Sequence, residues 1–155
     1  KESLSLADRM AVMRDGTIEQ LADPRTVYRQ PSSRFVADFI GETNWFEGVV
    51  ESIGETTTVR CALGSMVASG LYTLPPGTPI WIGFRPEATR LHGTLQNMFE
   101  GRLVQTNYLG DLEEYLIEAA GIRLKAFEQN PEARLPKGSA VRVGVAARDL
   151  LLLPR

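Results

Sequence analysis

Residues 108–121 read YLGDLEEYLIEAAG, and whether they form a helix or a strand decides the fold class of the chain. Leu112, Tyr115, Leu116, Ala119 and Ala120 fall at helical spacing, and Leu, Glu and Ala are good helix formers. Propensity alone gives a helix. The flanks argue otherwise. Gly110-Asp111 has the composition of a hairpin turn, and Tyr115, Ile117 and Ala119 alternate with Leu116, Glu118 and Ala120. GIRLKAFE (residues 121–128) then offers a further strand directly after the next glycine. A meander consistent on both sides outweighs propensity, so the segment reads as strand.

The same grammar extends outward. FEGVVESIG (46–54), TTTVRCAL (56–63), SMVASGLYTL (65–74), TPIWIGFRPE (78–87) and AVRVGVA (140–146) are short and rich in β-branched and aromatic residues, and Gly and Pro separate them. Residues 43–155 therefore read as a small β domain, OB-like or barrel-like, that manages its edges by closure. Residues 1–42 follow a different pattern. Leu4, Leu6 and Ala7 read as a helix end, Ala11 to Met13 as a strand, Asp15-Gly16 as a turn and Thr17 to Leu21 as the returning strand. Asp23 caps a short helix with Pro24 at its first position, and Pro31 stops it. Ser32 or Ser33 caps a second helix, in which Phe35, Val36, Phe39 and Ile40 make one apolar stripe before Gly41. The expected fold is mainly β, preceded by a short αβ piece. Because Lys1 enters the first helix with no cap ahead of it, the chain is expected to continue a longer protein.

Composition narrows the function classes. The 155 residues are 43% hydrophobic and 23% charged, which is globular composition. A formal charge of -2 with scattered signs gives no electrostatic footprint for nucleic acid, so none is expected as a partner. A single cysteine, Cys61, excludes an intramolecular disulfide, and a single histidine, His92, excludes the usual Cys/His zinc sets. No apolar run approaches the about 20 residues that span a bilayer, so direct membrane insertion is not expected.

The stretch LADRMAVMRDGTIEQLADPRTVYRQPSSRFVADFIGETN (6–44) closely resembles the closing part of the nucleotide-binding subunit of ATP-binding cassette (ABC) importers. GFRPEATRL (83–91), GRLVQTNYLGDLEEYLIEA (101–119) and GSAVRVGVAARDLLLLP (138–154) resemble, in order, segments of the transport-associated OB-like (TOBE) domain that many such subunits carry. The resemblance implies that residues 1–42 close a P-loop ATPase core and that residues 43–155 form an accessory domain, regulatory and dimerising. It also implies a cytoplasmic location peripheral to the membrane and transmembrane permease subunits as partners. ATP and magnesium would belong to the full-length parent. The parent would couple hydrolysis to solute uptake, and RFVADFIGETNWFEG (34–48) looks most like the polyamine, iron and phosphonate branch. The sequence itself holds no G-x-x-x-x-G-K-[ST] loop to cradle phosphates, no acidic strand-end pair, no signature loop and no switch histidine, so this chain is not expected to be an enzyme or to hold a cofactor or metal. A second reading makes the β domain a sensor of small oxyanions, and a third, an OB-like nucleic-acid binder, is suggested by the fold label alone.

Arg85 and Glu87, flanking Pro86, are the candidate interface or regulatory residues: proline ends the strand at an edge, and side chains two apart project to one side. No catalytic residue is named. Asp111, Glu113 and Glu114 read as a solvated turn, since neither opposed carboxylates in a cleft nor a calcium-loop pattern is present. His92 reads as a loop residue and Cys61 as a buried small hydrophobe, while Trp45, Phe46, Tyr72 and Trp81 read as packing residues rather than a base-stacking platform.

Overall fold

A computed structural model describes residues 8–70 and 72–155, so the helix end read at Leu4, Leu6 and Ala7 lies outside the described residues. The chain divides into two compact units, Lys1–Thr43 and Asn44–Arg155. In the first, β1 (Met10–Arg14) and β2 (Thr17–Ala22) form an antiparallel hairpin. Asp15 and Gly16 both take positive φ, 50° and 79°, as a two-residue turn matched to strand twist requires. Helix α1 (Pro24–Arg29) starts where Asp23 accepts hydrogen bonds from the Thr26 amide and hydroxyl. Helix α2 (Arg34–Ile40) starts where the Ser33 hydroxyl accepts from the Val36 amide. Val12, Val27 and Val36 make the core of this unit. Of the expected apolar stripe of α2, Val36 is buried and Phe35 and Ile40 pack against the core partly buried, whereas Phe39 is 66% exposed. Gly41 ends the helix in extended backbone, with no left-handed cap.

The second unit is all β apart from two short turns. Its strands are β3 (Asn44–Ile53), β4 (Thr57–Cys61), β5 (Gly64–Ala68), β6 (Pro79–Phe84), β7 (Thr89–Leu91), β8 (Asn97–Tyr108), β9 (Leu112–Ala119), β10 (Ile122–Gln129), β11 (Ala140–Val145) and β12 (Leu151–Pro154). The stretch that decided the fold is a strand. β9 pairs antiparallel with β8 on one side and β10 on the other, and residues 113, 115, 117 and 119 point to the core. Helix-favouring residues lose here because three inward side chains of β9, Tyr115, Ile117 and Ala119, join one apolar cluster drawn from both sheets.

These strands form two curled five-stranded antiparallel sheets, ordered β12-β6-β3-β4-β5 and β7-β11-β8-β9-β10. The orders are equivalent, and the sequence explains why. NWFEG (44–48) recurs as NMFEG (97–101), and LPPGTPIWIGFRPEA (74–88) aligns with LPKGSAVRVGVAARD (135–149). The hydrogen bonds repeat too. The Gly77 amide donates to the Val50 carbonyl and the Gly138 amide to the Leu103 carbonyl, each at 2.8 Å, with φ of 90° and 89°. Both long hairpins shift register just past these residues, at Val50/Ser52 and Leu103/Gln105. The domain is thus an internal duplication in which each half lends its last short strand to the other half's sheet. β12 pairs with β6, and β7 pairs with β11.

Two glycine pairs show how closely the halves copy each other. A Cβ on Gly48 would lie 2.9 Å from the Arg60 carbonyl oxygen, and one on Gly101 would lie 2.8 Å from that of Glu118. Similarly, Trp45 covers Gly83 and Met98 covers Gly144, each leaving no space for a side chain.

Candidate functional site

The junction between the two halves is where the named residues gather. The run FRPEA leaves β6 and forms a 3-10 turn at Pro86–Ala88, and its counterpart forms one at Ala147–Asp149. Arg85 is 4% exposed at the end of β6, while Glu87 is exposed in the first turn. Pro86 does end a strand, but the strand is not at an edge: β6 lies between β12 and β3, and the lent strand β12 is what covers it. The Thr89 hydroxyl donates to the Pro86 carbonyl at 2.8 Å and fixes the turn.

The halves hold each other by a reciprocal side-chain clamp. Asn44 opens β3, and its amide group donates to the Lys125 carbonyl at 2.9 Å and accepts from the Lys125 amide at 2.8 Å. Asn97 opens β8 and does the same to Val67, at 2.9 and 2.7 Å. Lys125 and Val67 lie on β10 and β5, the terminal strands of the two sheets, so each carboxamide caps an edge of the opposite half as a further strand would. Between the clamps, Phe84 meets Phe46 at 6.0 Å and Phe99 at 6.1 Å between ring centroids. Phe46 and Phe99 are the equivalent residues of the repeated N-x-F-E-G motif, so one ring of β6 touches both copies.

The remaining candidates separate. His92 is exposed with φ 58°, and its amide donates to the Arg142 carbonyl at 2.8 Å. Cys61 is half-buried rather than buried; its thiol donates to the Gly64 carbonyl, and burial raises its pKa. The Tyr72 hydroxyl lies 3.4 Å from the Leu150 carbonyl and the Leu152 amide, a packing role within the junction. Phe46 is core, and the Trp81 ring carries the Arg155 guanidinium 5.5 Å from its centroid, itself 3.0 Å from Glu47. Asp111 is exposed, and Glu114 accepts from Asn107 at 3.2 Å. Glu113 departs from the solvated-turn reading: it is 3% exposed, because β9 begins at Leu112 and position 113 shares the inward phase of Tyr115, Ile117 and Ala119. The alternation quoted for the strand, carried back one step, would have found it. Among the described residues no three His, Cys, Asp or Glu side chains converge to hold a metal, and no helix is long and apolar enough to cross a membrane.

Residues 82–153 match the sequence profile of the TOBE domain. The chain is similar to the spermidine/putrescine import ATP-binding protein PotA of Rubrobacter xylanophilus, 39% identical across 99% of this chain and 42% of that protein. It is also similar to the Fe(3+) ions import ATP-binding protein FbpC 1 of Rhizobium meliloti, 33% identical across 98% of this chain and 43% of that protein. It thus spans less than half the length of these relatives. Among solved structures, the cytoplasmic molybdate-binding protein ModG in its molybdate-bound form superposes with a TM-score of 0.62 over 72% of this chain and 96% of that one, at 14% identity, a likeness of fold alone.

Proposed function

We propose that the chain is the regulatory and dimerising C-terminal region of an ATP-binding subunit of an ABC importer that carries a TOBE domain, the kind of protein to which it is similar. The observation that carries this reading is the contrast between a chain related over nearly its whole length to import ATPases and a sequence with no phosphate-cradling loop. What this chain supplies is a two-sheet β unit held by its own reciprocal asparagine clamp, continuous in sequence with a small αβ unit. ATP and magnesium are then held by the rest of the full-length subunit, which sits on the cytoplasmic face of the membrane against permease subunits and drives uptake of a polyamine or ferric-iron class of solute. The Arg85-Pro86-Glu87 turn, with Glu87 exposed, is the contact offered to the partner.

Pairing of two such β units away from the nucleotide sites keeps two ATPase cores together while they are open. Core closure then becomes intramolecular, at the effective concentration set by the tether rather than by the cell. In sedimentation equilibrium at tens of micromolar, on the order of a weak interface's Kd, the chain is expected to run as a dimer. Glu87→Lys is expected to shift it toward monomer. A wild-type monomer throughout that range sinks the reading.

A second reading has its own support. The fold neighbour is a molybdate-bound protein of the same two-sheet architecture. Calorimetric titration with molybdate, tungstate, sulfate and phosphate separates the two: saturable heat from one oxyanion supports sensing, and none supports a pairing module.

A further inference from the structure

At the far end of β8, β9 and β10 a cavity of about 340 Å³ opens between Tyr108, Glu113, Pro131, Ala133 and Arg134. Glu113 lies directly opposite Tyr108 on β8 and Glu128 on β10, so the three side chains stand in one row on one face. Glu128 is engaged: it accepts the Tyr115 hydroxyl at 2.7 Å, and burial together with the two glutamates raises the Tyr115 pKa well above that of a free phenol. Glu113 has no such partner. The residue as a whole is 3% exposed and lines the cavity, and its carboxylate oxygens are not among the buried, unpartnered polar atoms of the described residues, so they open onto that space. A carboxylate that lines a cavity beside a second one attracts a cation supplied from outside the domain.

The walls say which cation. A hard metal ion needs six or more oxygen ligands, and only two carboxylates are close, one already bonded. Tyr108, Pro131 and Ala133 give an otherwise apolar lining, suited to a carbon skeleton. At the rim stands Arg134, exposed, lining the same space without an ion pair to Glu113. An anion-seeking group at the mouth and a cation-seeking group on the floor, separated by an apolar wall, are complementary to one molecule carrying both charges. A volume near the lower limit of ligand pockets, about 300 Å³, restricts that molecule to a small one.

We propose that this cavity binds a small amino carboxylate, its ammonium on Glu113 and its carboxylate on Arg134. The site belongs to the second half of the duplication alone, because the corresponding hairpin of the first half, β3–β4, turns through Gly54 and Glu55 without such a row. It is independent of the pairing and transport readings.

Calorimetry on the 155-residue chain with glycine, β-alanine and γ-aminobutyrate, and with butylamine, butyrate and magnesium chloride as controls, tests it. At least one amino carboxylate is expected to bind about tenfold or more tightly than butylamine or butyrate, since a charge-assisted bond is gained at each end. Glu113→Gln, which removes a like-charge neighbour of Glu128 and leaves folding intact, is expected to abolish that binding. Arg134→Ala, at an exposed position, is expected to reduce the amino carboxylate to the affinity of butylamine. Silence from all three amino carboxylates overturns the proposal, as does an affinity unchanged in Glu113→Gln, or binding of magnesium alone.

Discussion

Replacing Phe84 by alanine is expected to lower the unfolding free energy of the 44–155 unit by about 3–5 kcal/mol, the range for emptying a buried aromatic site. Phe84 has no exposed surface, and it stands on a strand flanked on both sides. The loss is placed at the upper end because its ring is shared: Phe46 belongs to one half and Phe99 to the other, and no single rearrangement refills both contacts. Val145, which holds the equivalent place on β11 and is also fully buried, is smaller, so Val145→Ala should cost clearly less. Urea unfolding followed by the fluorescence of Trp45 and Trp81, both on the outer layer of one sheet, measures the two variants. A loss at Phe84 below about 1 kcal/mol would mean that the halves cohere without it. A single transition with an unchanged m-value would show that the halves still unfold together, whereas two transitions would show that the ring is what couples them.

How much of this was legible in the sequence depends on the range of the interaction. Short-range features were: Asp23-Pro24, Ser33 and Asp15-Gly16 each act within four residues, and each forms the cap or turn its chemistry dictates. The strand at residues 112–119 was legible from its neighbours, because a flanking turn and a following strand constrain the pairing more than helix propensity does. Exposure was less legible. Phe39 satisfies a helical stripe yet is 66% exposed, although Phe35, Val36 and Ile40 of the same stripe meet the core of their unit. The edge assigned to Arg85-Pro86 failed for a longer-range reason: proline denies a donor within its own half, but β12, arriving from nearly seventy residues later, pairs with the strand before it. Likewise Glu113 was placed in the turn from its neighbours' charge, although strand phase buries it. The duplication was visible in N-x-F-E-G and L-P-x-G all along. The strand exchange was not, since nothing local distinguishes β7 pairing within its half from β7 pairing across.

Asn97→Ala is expected to cost about 2–4 kcal/mol, and Asn44→Ala somewhat less, because each leaves one amide and one carbonyl of an opposing strand without a partner, at about 1–3 kcal/mol for each buried group. Asn97 is 2% exposed and Asn44 9%, so water reaches the second vacancy more readily. Asparagine is demanded here by geometry, since only a carboxamide offers a donor and an acceptor side by side to match a backbone N–H and C=O. Asn97→Asp sharpens the point. As a neutral acid that group still donates to the Val67 carbonyl and accepts from its amide; as a carboxylate it faces the carbonyl oxygen with a negative charge in a buried site. Both burial and that carbonyl favour the protonated form, so the folded-state pKa is expected to rise above the unfolded value of about 3.9. The variant's stability should then be near wild type in acid and fall as pH climbs through that raised folded value, the reverse of a salt-bridged aspartate. Denaturant midpoints of Asn97→Asp and wild type compared between pH 4 and pH 8 give the test. A gap that does not widen with pH would mean that the carboxamide is not bonded to both groups of Val67, and a similar null result for Asn44→Asp would remove the clamp from the description of how the two halves are joined.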